Sequence, residues 1–331
     1  MARRTEGFEP PMNDDAPAIA VEGLTHTYKS GHTALNDVNL NCGTGLFGLL
    51  GPNGAGKSTL MRILCTLTPL ETGSVRICGY DVNTQRQQVR ENLGYLPQDF
   101  GAWKLHRVEE VLDTLAQFSG MHNKSIRRER VTEVLEQVGL GQVRDRKVKK
   151  LSGGMLRRLG VAQALVHEPR VIVVDEPTVG LDPEERIRFR RVMADLGRDR
   201  TILLSTHIVA DLGAACREIA LLDSGTICYQ GAPAELVRHA EGKVFEVVAD
   251  GQAAEDLEAE YDIVSTNVTG NEITLRGVSA GGLPDGATPV AEPSLEEAYM
   301  VFMAARGRSD AASQVDEHNP APAERKRSKR G

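Results

Sequence analysis

Residues 51–59, Gly51-Pro52-Asn53-Gly54-Ala55-Gly56-Lys57-Ser58-Thr59, carry the most legible chemistry in the chain. The glycines let the backbone turn tightly and approach a ligand with no Cβ in the way. Successive N–H groups can then point at an anion, and the N-terminus of a following helix adds partial positive charge. Lys57 supplies a full charge for the β- and γ-phosphates of a nucleotide. Ser58 supplies a hydroxyl for the Mg²⁺ that accompanies it. The bland alternative is a glycine-rich turn that happens to precede Lys-Ser. A second group follows the apolar run Val171-Ile172-Val173-Val174, which delivers Asp175 and Glu176. Two adjacent carboxylates at the end of a buried strand are costly unless something cationic waits there. Nucleotide-bound Mg²⁺ is the obvious candidate. His207 follows the run Thr201–Thr206, at the sheet edge where open α/β folds bind ligands. In Leu151-Ser152-Gly153-Gly154, Ser152 is a natural helix cap, and a cap backed by two glycines is also an anion nest.

These groups need elements to position them. The apolar run Leu46–Leu50 reads as a strand leading into the glycine loop, and Thr59–Leu64 as the helix leading out. Short strand-like runs, 18–21 and 38–42, precede that unit. Residues 75–82 look like one strand bent at Gly79, and 93–97 like a buried strand ending at Pro97. Val108, Val111, Leu112, Leu115 and Phe118 fall on one helical face, as do Val131, Val134, Leu135 and Val138. A helix running from Ser152 to about His167 is stopped by Pro169. Another starts with Pro183 in its first turn. Residues 218–223 and 226–230 form a hairpin turning at Ser224-Gly225. Past Gly242 the character changes to alternating strands at 243–248 and 272–276, acidic and glycine-rich joints, and a helix from Ser294 to about Ala304.

The 331-residue chain is 40% hydrophobic and 26% charged, enough for a large α/β domain and a smaller one. A net charge of −7 argues against a protein whose main business is wrapping nucleic acid. The five cysteines are scattered, with no CxxC, so neither a disulfide framework nor a zinc site is indicated, and no metal beyond Mg²⁺ is expected. No apolar run approaches the ~18 residues of a membrane span. Residues 1–17 read as a disordered lead. Residues 306–331 read as a disordered basic tail ending in 325–330.

Taken together, the motifs resemble, in order and across roughly residues 18–240, the nucleotide-binding subunit of ABC transporters. In that resemblance residues 51–59 are the Walker A and 171–176 the Walker B. Gln98 is the Q-loop, 151–154 the signature, Leu181-Asp182 the D-loop and His207 the switch histidine. Tyr28 matches the aromatic that stacks on adenine. Met155 departs from the commoner glutamine, but LSGGM followed by basic residues is similar to the drug- and antibiotic-export branch, as is the C-terminal segment 293–299.

The resemblance implies a P-loop NTPase cassette of α/β class: a RecA-like parallel core sheet, an antiparallel β subdomain and a helical signature subdomain at about 104–168. A small α+β appendage at 241–305 completes the expected organisation. It implies ATP and Mg²⁺ as cofactors. Ser58, Asp175 and Gln98 would attend the metal, Gln98 would also sense the attacking water as part of the catalytic set, Glu176 would polarise that water, and His207 would bind the γ-phosphate and hold Glu176. Ser152, Gly153, Gly154 and Asp182 would serve a second ATP-binding subunit paired head to tail. Export of a small molecule would then run through a separate membrane permease, docked near Phe100, Trp103 and Leu105, with this chain peripheral on the cytoplasmic face. An importer ATPase is the alternative, as is a non-transport ABC protein, although the latter usually carries two cassettes or long coiled coils.

Overall fold

The computed structural model describes residues 16–212, 215–270, 272–279 and 281–307. The expected lead and basic tail lie largely outside the described residues. The chain divides into two compact units, one ending at Pro233 and one beginning at Ala234.

The first unit opens with β1 (Ile19–Thr27), β2 (Thr33–Cys42), β3 (Gly45–Leu50) and α1 (Lys57–Leu64). It continues through β4 (Thr72–Ile77), β5 (Tyr80–Asp81), α2 (Arg86–Asn92) and β6 (Leu93–Leu96). The helices α3 (Val108–Phe118), α4 (Lys124–Gln137) and α5 (Gly153–Leu165) follow. Then come β7 (Val171–Asp175), α6 (Pro183–Leu196), β8 (Thr201–Thr206), β9 (Glu218–Asp223) and β10 (Thr226–Gly231).

A six-stranded sheet has the order β10-β9-β3-β8-β7-β6. All its pairings are parallel except that of β10 with β9. Every residue of β7 and β8 is buried, which is why these strands read as continuous apolar runs rather than alternating ones. The register pairs Leu50 with Thr206 and Asp175 with Ser205. The glycine loop, Glu176 and His207 therefore all leave the sheet at one edge. A second, antiparallel sheet has the order β2-β1-β4-β5, and its Ile19, Leu24 and Ile77 share a core with Leu60 and Ile63 of α1.

The stretch 75–82 is not one bent strand. Cys78 and Gly79 both take positive φ, 49° and 82°, and reverse the chain so that Ile77 pairs with Tyr80. Two successive left-handed residues are the geometry of a tight hairpin. The apolar faces of α3 and α4 pack as their spacing suggests, except at the end of α3, where Phe118 is 77% exposed. Arg130 of α4 donates to the carbonyls of Leu165 (2.7 Å) and Val166 (3.2 Å), satisfying the C-terminus of α5.

The boundary helix α7 (Pro233–Ala240) leads into β11 (Val244–Ala249), α8 (Gly251–Glu260), β12 (Asp262–Thr269) and β13 (Glu272–Val278). The two-residue β14 (Thr288–Pro289) and α9 (Leu295–Ala304) complete the second unit. Its antiparallel sheet has the order β12-β13-β11-β14 over a core of Phe245, Val247, Ala254 and Leu275. Sequence patterning finds β11, β13 and α9 but not α8 or β12. The helix α8 buries only Ala254, and β12 is exposed along most of its length, so neither displays a strong apolar period.

Candidate functional site

The glycine loop spans the gap between β3 and α1. At Gly56 φ is +108°, and a Cβ there would lie 2.4 Å from the Ala34 carbonyl oxygen. At Gly51 a Cβ would lie 2.1 Å from the Leu222 carbonyl oxygen. Both positions exclude a side chain because other backbone segments brace the loop. The Gly225 N–H adds a brace by donating to the Ala55 carbonyl at 3.0 Å. Gly56 precedes α1 with no side-chain cap, so no side chain occupies the first-turn N–H groups that an anion would use. Pro52 is half-buried, Asn53 and Gly54 are exposed, and Ser58 is half-buried one residue into the helix.

Lys57 is 5% exposed. Its Nζ donates to the carbonyls of Gly51 (2.7 Å) and Pro52 (3.1 Å) and stands 3.2 Å from Glu176 Oε1. The other oxygen, Glu176 Oε2, is 2.6 Å from Nδ1 of His207. The structure thus joins three sequence-nominated groups from three strand ends. Burial pushes the Glu176 carboxyl up, but the His207 hydrogen bond and the Lys57 charge outweigh it and hold the group below the ordinary carboxylate value. Glu176 is therefore an ionised carboxylate able to accept a proton or orient a water. Its φ of +45° is an uncommon conformation for a non-glycine residue, of the kind that persists where the surroundings over-determine it.

Ser205, which the sequence reading passes over, ties the carboxylates together. Its hydroxyl donates to Asp175 Oδ1 at 2.5 Å and accepts from the Glu176 N–H at 3.1 Å. Nothing in the run Thr201–Thr206 marks Ser205 for this contact, which depends on β8 lying beside β7. Tyr28 reaches α1 through a 2.9 Å contact between its hydroxyl and that of Thr59, and it is 38% exposed. His26 stacks edge-on with Tyr28 at 4.9 Å between ring centroids.

The donor set fits a nucleotide-borne magnesium. Among the described residues no group of three or more His, Cys, Asp or Glu is gathered to hold a metal unaided. Magnesium keeps waters and phosphate oxygens and takes only one or two protein groups. Ser58 and Asp175 suit that partial role, and Gln98 stands two residues past β6 on the same sheet edge.

The remaining nominated residues stand apart from this cluster. Gln98 is exposed, and its backbone carbonyl accepts from Arg157 of α5. Ser152 caps α5 by accepting from the Met155 N–H at 3.2 Å. Ser152 and Gly153 are exposed, whereas Gly154 is buried, and a Cβ on it would lie 2.1 Å from Glu185 Oε2. Asp182 caps α6 by accepting from the Glu185 N–H at 2.8 Å. No hydrogen bond among the described residues links Ser152, Gly153 or Gly154 to the glycine loop.

A glycine loop leading into a helix, a buried lysine at its end and a carboxylate held between that lysine and a histidine suit a nucleoside triphosphate. Comparison with known proteins agrees. The family described as ABC transporter matches residues 35–179. The chain is 38% identical over 237 residues to the Nod factor export ATP-binding protein I of Ralstonia nicotianae, covering 71% of this chain and 73% of that protein. It is 32% identical over 228 residues to an uncharacterized ABC transporter ATP-binding protein of Bacillus subtilis, covering 69% and 75% respectively. Among solved structures it resembles cbiO1 of Clostridium perfringens, part of the cbiONQ complex, with a TM-score of 0.62 and 26% identity over 67% of this chain and 91% of that one. It also resembles an ATP-binding cassette solved as a dimer after hydrolysis with ADP and Pi, with a TM-score of 0.58 and 27% identity over 65% and 98%. The chain belongs to the ABC transporter ATP-binding family. It is an ATPase that uses ATP with Mg²⁺, and its core is the cassette fold of that family.

Proposed function

We propose that this chain is the motor of an exporter. Two copies close head to tail over two nucleotides, and a small drug-, antibiotic- or lipid-like molecule leaves through a separate membrane permease. One observation carries the pairing: Ser152 and Gly153 sit exposed at the capped start of α5, unconnected to the Lys57–Glu176–His207 cluster. The chain thus presents an anion-binding end with no phosphate site of its own to serve, and a second copy supplies one.

Within each copy, Lys57 and the loop N–H groups at 51–59 hold the triphosphate. Tyr28 stacks on the base, a contact that contributes about 1–3 kcal/mol and tolerates different bases. Ser58 and Asp175 hold the magnesium, with Gln98 beside it. Bound there, the ion offsets charge on the phosphate oxygens. Glu176 orients the attacking water and accepts its proton, held in place by His207. Ser152 accepts from Met155, so its own hydroxyl hydrogen is free to donate to the partner's γ-phosphate, and Asp182 lies beside that interface. Opening follows once the phosphate bond is cleaved.

Among the described residues no helix is long and apolar enough to cross a membrane. In this proposal the permease is a different polypeptide, and this chain sits peripherally on the cytoplasmic face. Trp103 and Leu105, 44% and 71% exposed, with Phe100 beside them, offer the apolar docking surface. Export is favoured by the name of the Ralstonia relative and by the LSGGM signature. The test is affinity purification of the tagged full chain from detergent-solubilised native membranes. Recovery of a polytopic membrane protein whose reconstituted vesicles move a small molecule outward is expected. Recovery with ribosomes, or uptake in the opposite direction, contradicts the reading.

A further inference from the structure

We propose that Asp211 is a positioning residue for hydrolysis, keeping Glu176 and His207 in register through two threonine hydroxyls. The proposal rests on the roles given above to those two residues. Asp211 lies in the turn after β8, yet it is 3% exposed. Its Oδ2 accepts from the hydroxyl of Thr178 and, at 3.2 Å, from that of Thr206. Thr178 stands two residues beyond Glu176, and Thr206 immediately precedes His207. Both threonines are 1% exposed.

The surrounding contacts make this a junction rather than a chance pair. The Thr206 hydroxyl accepts from the Ile208 N–H at 2.9 Å, which pins the turn locally. The Leu181 N–H donates to the Thr178 carbonyl at 3.1 Å, so the same threonine anchors the segment leading to Asp182. Arg190 of α6 donates to the carbonyl of Ala210, next to Asp211. One carboxylate therefore ties the segment after β7 to the segment after β8. Ser205 makes a similar tie at the strand ends themselves, but Asp211 is placed where the two reacting side chains have already left the sheet.

A carboxylate buried among hydroxyls is expensive to desolvate. Its hydrogen bonds are stronger and more directional than neutral ones, which suits it to fixing a distance. Small displacements matter here, because misplacing a catalytic group by about 1 Å can cost on the order of 10²-fold in rate. The Glu176–His207 contact at 2.6 Å has no slack for such a displacement.

The test uses the purified full chain, with ATP hydrolysis measured across ATP concentration and nucleotide binding measured separately. Asp211→Leu and the near-isosteric Thr178→Val should each lower kcat by about tenfold or more while leaving KM and ATP binding unchanged. Combining them should cost no more than Asp211→Leu alone, since that change already removes the tie to Thr178. Asp211→Asn, which keeps one acceptor oxygen, should recover part of the rate. If Asp211→Leu does not fold, Thr178→Val and Asp211→Asn carry the test. Normal kcat in folded Thr178→Val, with Glu176→Gln inactive, overturns this proposal alone, as do additive losses in the double variant. A Glu176→Gln protein that hydrolyses ATP normally overturns the assignment of the base instead.

Discussion

Two helix N-termini in the chain bear the residues of an anion site, and they are built in opposite ways. At the start of α1 no side chain caps the helix, and Lys57 is folded in among the Gly51 and Pro52 carbonyls and Glu176. At the start of α5 the Ser152 side chain caps the helix, and the first residues lie open. The first end is enclosed by braces from β2, β9 and the β9–β10 turn, and it is met by a carboxylate from the end of β7, two strands away in the sheet. The second carries no carboxylate-histidine pair and is backed by Glu185, which Arg158 and Arg188 hold. On the function proposed above, the difference separates a phosphate-handling centre from a complementary cap that needs a centre elsewhere.

Lys57→Ala strikes the first end hardest. It removes the only full positive charge in the loop and leaves Glu176 without its cation, so hydrolysis should fall by about 10²–10³-fold with weakened ATP binding. The check is steady-state ATPase activity alongside fluorescent-nucleotide titration. A variant retaining near-normal activity would mean that the backbone donors suffice and that the enclosure around Lys57 is incidental.

Acid gives a smaller, graded contrast. The Glu176 carboxyl titrates below its ordinary value in the folded chain, so its ion pair contributes stability that is fully present above the unfolded value of about 4.3. That contribution is lost as pH falls through the lower folded value. Melting temperatures of the wild type and Glu176→Gln should therefore differ at about pH 5 and converge as the pH falls below that. Ser152 does not titrate, so Ser152→Ala should show a pH-independent offset near the cost of a lost cap, about 1 kcal/mol. A Glu176→Gln offset that is equally flat into acid would remove the Lys57–Glu176–His207 cluster from the list of native interactions.

Much of this was legible in residue types. Continuous apolar runs marked β3, β7 and β8, and their shared direction was enough to place the glycine loop, Glu176 and His207 at one edge. Caps were legible as well, since Ser152, Asp182 and Ser294 each accept from a first-turn N–H as their type suggests. What escaped was set by strand neighbours rather than by local pattern. Ser205 meets Asp175 only because β8 lies beside β7 in the sheet order, and nothing in Leu203-Leu204-Ser205-Thr206 announces that. Asp211 was invisible for the same reason, since one partner follows β7 and the other ends β8. The hairpin at Cys78-Gly79 was hidden because a cysteine with positive φ has no sequence signature. Helical spacing carries the apolar face of α3 on to Phe118, past the point where the helix has packing partners.

The pairing of the two unlike ends is tested most directly by sedimentation of the full-length Glu176→Gln chain with and without Mg²⁺ and ATP. The expected result is a monomer alone, a dimer with both ligands, and a monomer under all conditions once Ser152→Arg is added. A Glu176→Gln chain that binds ATP yet stays monomeric, or a Ser152→Arg chain that dimerises just as well, would contradict the closure of one copy's α5 over the other's phosphates.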